Sequence, residues 1–102
     1  MAQEKTYENK IKQFLKAKNI WYYKIWGGGL YTKAGVPDII ACVNGKFVAI
    51  EVKSETGKVT ALQNKNIEDI IKSGGIAIIT RPSEFEDLKK MIGDINGRSC
   101  IL

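Results

Sequence analysis

Asp38, Glu51 and Lys53 are the residues of this chain whose types and spacing point to chemistry. Between them, two apolar runs, Asp38 to Val43 and Lys46 to Val52, are separated by Asn44-Gly45. That dipeptide suits a two-residue type I′ hairpin, because both turn positions need positive φ. A loop centred there pairs residue i with residue 89−i, so Asp38 lies opposite Glu51. Their Cβ atoms would stand about 4.5–5.5 Å apart, with Lys53 about 7 Å further along the same face. Two facing carboxylates at the end of an apolar strand pair repel each other unless a cation sits between them. Hard oxygen ligands without imidazole or thiolate suit Mg²⁺ or Mn²⁺ rather than zinc or copper. A lysine beside such a metal orients or deprotonates an attacking water, or stabilises charge developing on a phosphate. The bland alternative is a surface arrangement in which Lys53 neutralises Glu51 and Asp38 frays at the strand start. A lone D…ExK pattern occurs by chance in most charged proteins of this size.

Composition narrows the chemistry. The chain has 102 residues and no histidine, which excludes a His general base, Ser-His-Asp and Cys-His arrangements, HExxH zinc sites and mixed Cys/His fingers. Its two cysteines, Cys42 and Cys100, are too few for a four-cysteine zinc site and point to a reducing compartment. Lys and Arg outnumber Asp and Glu by 16 to 11, a net charge of +5 that favours a polyanionic partner and equally serves solubility. No apolar stretch approaches the roughly 18 residues of a membrane span, so the expectation is a cytoplasmic protein without a membrane partner.

These residues must be positioned by a single unit, since the chain has no repeat, low-complexity tract or linker; residues 1–102 are read as one domain. Tyr7, Ile11, Phe14 and Leu15 recur at helical spacing, predicting an amphipathic helix from near Thr6. Ile20 to Trp26 is a predicted strand, ended by Gly27-Gly28-Gly29, a candidate substrate-contacting loop. Both faces of the hairpin are largely apolar, so both are expected to be covered. Thr60 with Gln63 forms a capping box opening a second helix through Ile67, Ile70 and Ile71, which Gly74-Gly75 stops. A short buried strand, Ile76 to Thr80, and a last helix begun by Pro82, Ser83 and Glu86 complete the order αβββαβα. Helices covering both faces of a mixed sheet make an α/β sandwich of three layers.

Gly35-Val36-Pro37-Asp38 followed by Glu51-Val52-Lys53 matches the PD-(D/E)xK signature of the restriction-endonuclease-like nucleases, with its two halves on hairpin-paired strands. More closely, the chain resembles the VRR-NUC (virus-type replication-repair nuclease) domain family. Glu8 on the first helix, Tyr23-Lys24 on the first strand, GVPD, EVK, and Gly57-Lys58 leading to Gln63 carry the likeness, over roughly residues 6 to 90. The resemblance implies a restriction-endonuclease-like core in which Asp38, Glu51 and the Val52 backbone carbonyl bind the metal, Lys53 is the catalytic lysine, and Glu8 reaches the metal directly or through water. Glu8 also fits a solvated helix carboxylate, although Ile11 and Leu15 put it at the edge of the buried stripe. Gln63, implied to belong to the catalytic set, is equally explained as the N3 member of its capping box, yet Ile67 and Ile70 turn it inward.

Tyr23 and Lys24 alternate in facing, so only one points to the site; Lys24 is placed near phosphate. Tyr23, Lys24, Lys33 and Lys58 are the expected DNA contacts. Trp21, Tyr22, Trp26 and Tyr31 add an aromatic surface suited to distorted or unstacked DNA, with at least half of them expected to be buried. With no separate sequence-reading module, specificity would come from DNA shape. The resemblance implies a Mg²⁺- or Mn²⁺-dependent endonuclease acting on branched DNA in a phage-infected or bacterial cell. Four-way junctions cut by a C2 homodimer are the leading case, since two opposed nicks need two sites. A monomeric flap or nicking enzyme and a non-catalytic DNA-binding module of the same fold are the alternatives.

Overall fold

The computed structural model describes residues 2–26 and 33–97. Its elements are α1 (Ala2–Ala17), β1 (Trp21–Lys24), β2 (Ile39–Val43), β3 (Lys46–Val52), α2 (Ala61–Lys72), β4 (Ile76–Thr80), a 3-10 turn (Pro82–Glu84) and α3 (Phe85–Gly97). The order is the αβββαβα one the sequence predicts. One sheet runs β1-β2-β3-β4, antiparallel across the first three strands and parallel between β3 and β4. This mixed sheet flanked by helices is compatible with a restriction-endonuclease-like fold. Gly27-Gly28-Gly29, Tyr31 and Cys100 lie outside the described residues.

The hairpin forms as its turn chemistry dictates. Asn44 (φ 51°) and Gly45 (φ 80°) both take positive φ, and the register runs from Ile39↔Ile50 to Val43↔Lys46. Extending that register by one residue sets Asp38 against Glu51. Helix α1 begins at Ala2 rather than near Thr6, because the residues from Ala2 to Lys5 are strong helix formers and Glu4 complements the N-terminal dipole. Strand β1 is shorter than predicted, although the Ile25 N–H still donates to the Asp38 carbonyl at 2.7 Å.

One face of the sheet is fully covered. Ile39, Ala41, Val43, Val48 and Ile50 pack against Tyr7, Ile11 and Leu15 of α1 and Leu88, Ile92 and Ile95 of α3. The other face departs from expectation. Helix α2 lies over the β3 and β4 side, where Ala49 is buried and Gly75 leaves room for Ile70 and Phe47. Across β1, β2 and the start of β3 the face stays open: Trp21 is 59% exposed, Tyr23 53% and Phe47 47%, and Cys42 is exposed. Two of the three helices are committed to the opposite face, and the crossover between parallel β3 and β4 fixes α2 on their side of the sheet. Of the aromatics of which at least half are expected to be buried, Tyr22 packs against the core, whereas Trp21 and Trp26 are exposed. Strand β4 is an edge strand, and so is half-buried rather than buried.

A polar tie joins α1 to β4: the Tyr7 hydroxyl and Thr80 Oγ1 share a buried hydrogen bond of 2.5 Å. Tyr7→Phe is expected to cost about 1–3 kcal/mol in urea unfolding, because it strands the Thr80 hydroxyl in the core. No helix among the described residues is long and apolar enough to cross a membrane.

Candidate active site

The site gathers beside α1, where β1 and β3 end and β2 begins. Asp38 is not frayed: its carbonyl accepts from Ile25, and its Oδ2 accepts the Val52 N–H at 2.8 Å. These two bonds fix the carboxylate at the hairpin's open end. Glu51, on β3, is only 2% exposed. Its Oε2 accepts from Gln63 Nε2 at 3.1 Å, and Lys53 Nζ stands 3.8 Å from the same oxygen. Its Oε1 is buried with no hydrogen-bond partner. Burial first, then the charge of Asp38, push the Glu51 carboxyl up to about 8 against the opposing pull of Lys53.

Gln63 fills both roles open to it in the sequence. Its backbone N–H donates to Thr60 Oγ1 at 3.1 Å, and its Oε1 accepts from the Thr60 N–H at 2.9 Å. The remaining amide nitrogen donates to Glu51. The capping box therefore fixes the side chain that orients the buried carboxylate.

Glu8 completes the cluster from the other face of the sheet. It is 5% exposed, accepts from Lys24 Nζ at 2.9 Å through Oε1 and pairs with Lys12 at 3.3 Å through Oε2. Burial by itself would raise its pKa, but the bond from Lys24 and then Lys12 outweigh burial and hold its carboxyl below the usual range. Lys24 Nζ also stands 3.8 Å from Asp38 Oδ1. Of the alternating pair, Lys24 thus reaches the carboxylates, while Tyr23 lies on the open face with its ring parallel to that of Trp21, centroids 6.5 Å apart.

Among the described residues no three His, Cys, Asp or Glu side chains converge closely enough to hold a metal ion. Glu8 is turned to its lysines, leaving Asp38 and Glu51 as the facing pair. These two fit a hard divalent cation: both offer carboxylate oxygens, and Glu51 Oε1 is an orphaned buried acceptor beside a like charge. Lys33 lines a separate cavity of about 300 Å³ with Phe47, Asn66 and Ile70, and Lys58 is exposed on the segment before α2.

Three participants escape sequence reasoning. Lys12 joins Glu8 as an ordinary i, i+4 pair. Arg81 Nη1 donates to the Ser54 carbonyl at 2.6 Å and the Gly57 carbonyl at 2.7 Å, pinning the turn that follows Lys53. Glu55 braces the same turn by accepting from the Ser83 N–H and hydroxyl. Nothing local marks Arg81 for this role, since its partners lie 24 and 27 residues away.

Compared with known families, residues 2–83 match the archaeal Holliday junction resolvase (Hjc) family model, a stretch that spans every candidate site residue. No curated protein matches the chain.

Proposed function

The chain belongs to the archaeal Holliday junction resolvase family, a PD-(D/E)xK nuclease-like family, and from that premise we propose that it is a divalent-metal-dependent endonuclease that resolves four-way DNA junctions as a homodimer. The observation that carries this is the facing pair Asp38 and Glu51, with an orphaned buried oxygen on Glu51 and Lys53 3.8 Å from its other oxygen. Asp38, Glu51 and the Val52 carbonyl would hold Mg²⁺ or Mn²⁺. Bound there, such a metal supplies Lewis acidity toward a phosphate oxygen and a more acidic water.

The protein's own groups prepare that chemistry. Gln63 holds Glu51 in place, and the Val52 N–H holds Asp38. Lys53, just before a turn pinned by Arg81, is positioned to orient water or to meet charge developing on the phosphate. Glu8 fixes Lys24 beside Asp38, where its ammonium can meet the DNA backbone. Lys33 and Lys58 are further DNA contacts in this reading, while Tyr23, stacked on Trp21 on the open sheet face, is given to the subunit interface instead. The narrower likeness to VRR-NUC domains rests on the motif set from Glu8 to Gln63, and a DNA-acting enzyme of this kind would work in the cytoplasm.

The open sheet face supports the homodimer. Trp21, Tyr23, Cys42 and Phe47 present aromatic and apolar surface without a charged side chain among them, the composition of an interface core. A second copy is its natural cover, because resolution needs two sites related by a two-fold axis.

The test is cleavage of end-labelled four-way junction, flap and linear duplex DNA of shared sequence, with Mg²⁺, Mn²⁺ or EDTA. Paired symmetric incisions confined to the junction, lost in EDTA, are expected. Tyr23→Glu should turn the dimer into a monomer in sedimentation and leave single nicks. Cutting of flaps instead would favour the monomeric repair nuclease, and junction binding without any cutting would favour a binding module.

A further inference from the structure

Trp26 stands just beyond the end of β1 and is 65% exposed. Its ring has Lys5 Nζ 5.4 Å from its centroid and Lys24 Nζ 5.5 Å away. Lys24 is the same ammonium that bonds Glu8 and stands 3.8 Å from Asp38. The indole is therefore one side chain removed from the carboxylate cluster, and two cations drawn to the ring's quadrupole lie against it. An exposed tryptophan at the rim of a basic phosphate-cutting site combines a flat stacking surface with charge for the backbone on either side of it.

Resting on the resolvase function proposed above, we infer that Trp26 is a specificity residue that reads the branch itself. A continuous duplex buries the faces of all its base pairs in the stack. At a junction the stack is interrupted and base faces become available. The indole stacks on one of these faces, Lys5 and Lys24 meet the flanking phosphates, and the fixed separation between ring and carboxylates sets how far from the branch the cut falls. Lys24 thereby links the two functions, touching the ring on one side and the site on the other.

Binding in EDTA, where nothing is cut, separates this role from catalysis. The affinities of wild type, Trp26→Ala and Trp26→Phe are compared by fluorescence anisotropy on a four-way junction and on a linear duplex of the same arm sequence. Trp26→Ala is expected to weaken junction binding by about 5- to 150-fold, the loss that stacking on one base carries, and to change duplex binding by less than about twofold. Trp26→Phe should keep most of the junction affinity. The chain has two tryptophans, so Trp21→Phe leaves Trp26 as the single emitter, and its emission should be quenched by junction and not by duplex. A wild-type preference for junctions that survives Trp26→Ala overturns the inference while leaving the resolvase function standing. Equal losses on both DNAs overturn it too, by making Trp26 a general contact. Wild-type protein that binds junction and duplex equally overturns both.

Discussion

Asp38→Asn is expected to lower metal-dependent DNA cleavage by at least ~10³-fold while leaving the protein as stable as wild type or more so. If Asp38 holds the proposed metal, its loss removes several kcal/mol of transition-state stabilisation. The fold has no matching reason to suffer. An asparagine oxygen can still accept the Val52 N–H, and Lys24 keeps its bond to Glu8. The substitution also removes the like charge that helps to push the Glu51 carboxyl up to about 8. Glu51→Gln should show the same split, since its amide oxygen can still accept from Gln63. Single-turnover cleavage measured beside thermal unfolding checks both halves. Activity within tenfold of wild type would end the assignment of Asp38 as a metal ligand, and a large loss of stability would mean that the carboxylate pair is structural.

The second large effect is on stability against pH. In EDTA the protein should lose stability steadily from about pH 4.5 to about pH 8. Glu51 is buried and beside Asp38, so the folded state keeps a proton that the unfolded chain releases from 4.5 upward. Wherever the folded state binds more protons, stability falls as pH rises. The slope contributed by one such group is at most about 1.4 kcal/mol per pH unit, several kcal/mol over the window. Glu8 acts at the other end: its pKa lies below 4.5 when folded, so its contribution is present above that value and is lost as pH falls through the folded pKa. The two together place the stability maximum of the metal-free protein in mildly acidic solution. Excess Mg²⁺ or Mn²⁺ should flatten or reverse the decline near pH 8, because metal binding takes the deprotonated carboxylate and adds its own linkage. Melting curves across this range, with EDTA or with Mn²⁺, decide it. A flat EDTA profile would show that Glu51 is not held as a buried acid, and an unchanged profile with Mn²⁺ would show that the cation does not bind there.

Much of the scaffold was legible because its signals are local. Asn44-Gly45 states its own backbone requirement, and the two-residue turn then sets every pairing up to Asp38 and Glu51. Thr60 and Gln63 announce the start of α2, and the i, i+4 stripe of Tyr7, Ile11 and Leu15 announces the buried face of α1. The exposed face of β1 and β2 carries the same kind of local signal and differs from the expectation it raises. Apolar residues on both sides of a strand say that both sides avoid water, but not whether a helix of the same chain or a partner provides the cover.

The sequence by itself determined the element order, the hairpin register and the opposition of two carboxylates with a lysine beside them, since each follows from turn geometry and alternation over a few residues. The tertiary structure decided the electrical state of that site. Whether Glu51 keeps a proton depends on burial under α2, whether Glu8 faces a metal or Lys24 and Lys12 depends on how α1 crosses the sheet, and whether Lys53 is held depends on Arg81 reaching back from the end of β4. Desolvation and charge pairing act through space between residues far apart in the chain, and such distances exist only once the chain is folded.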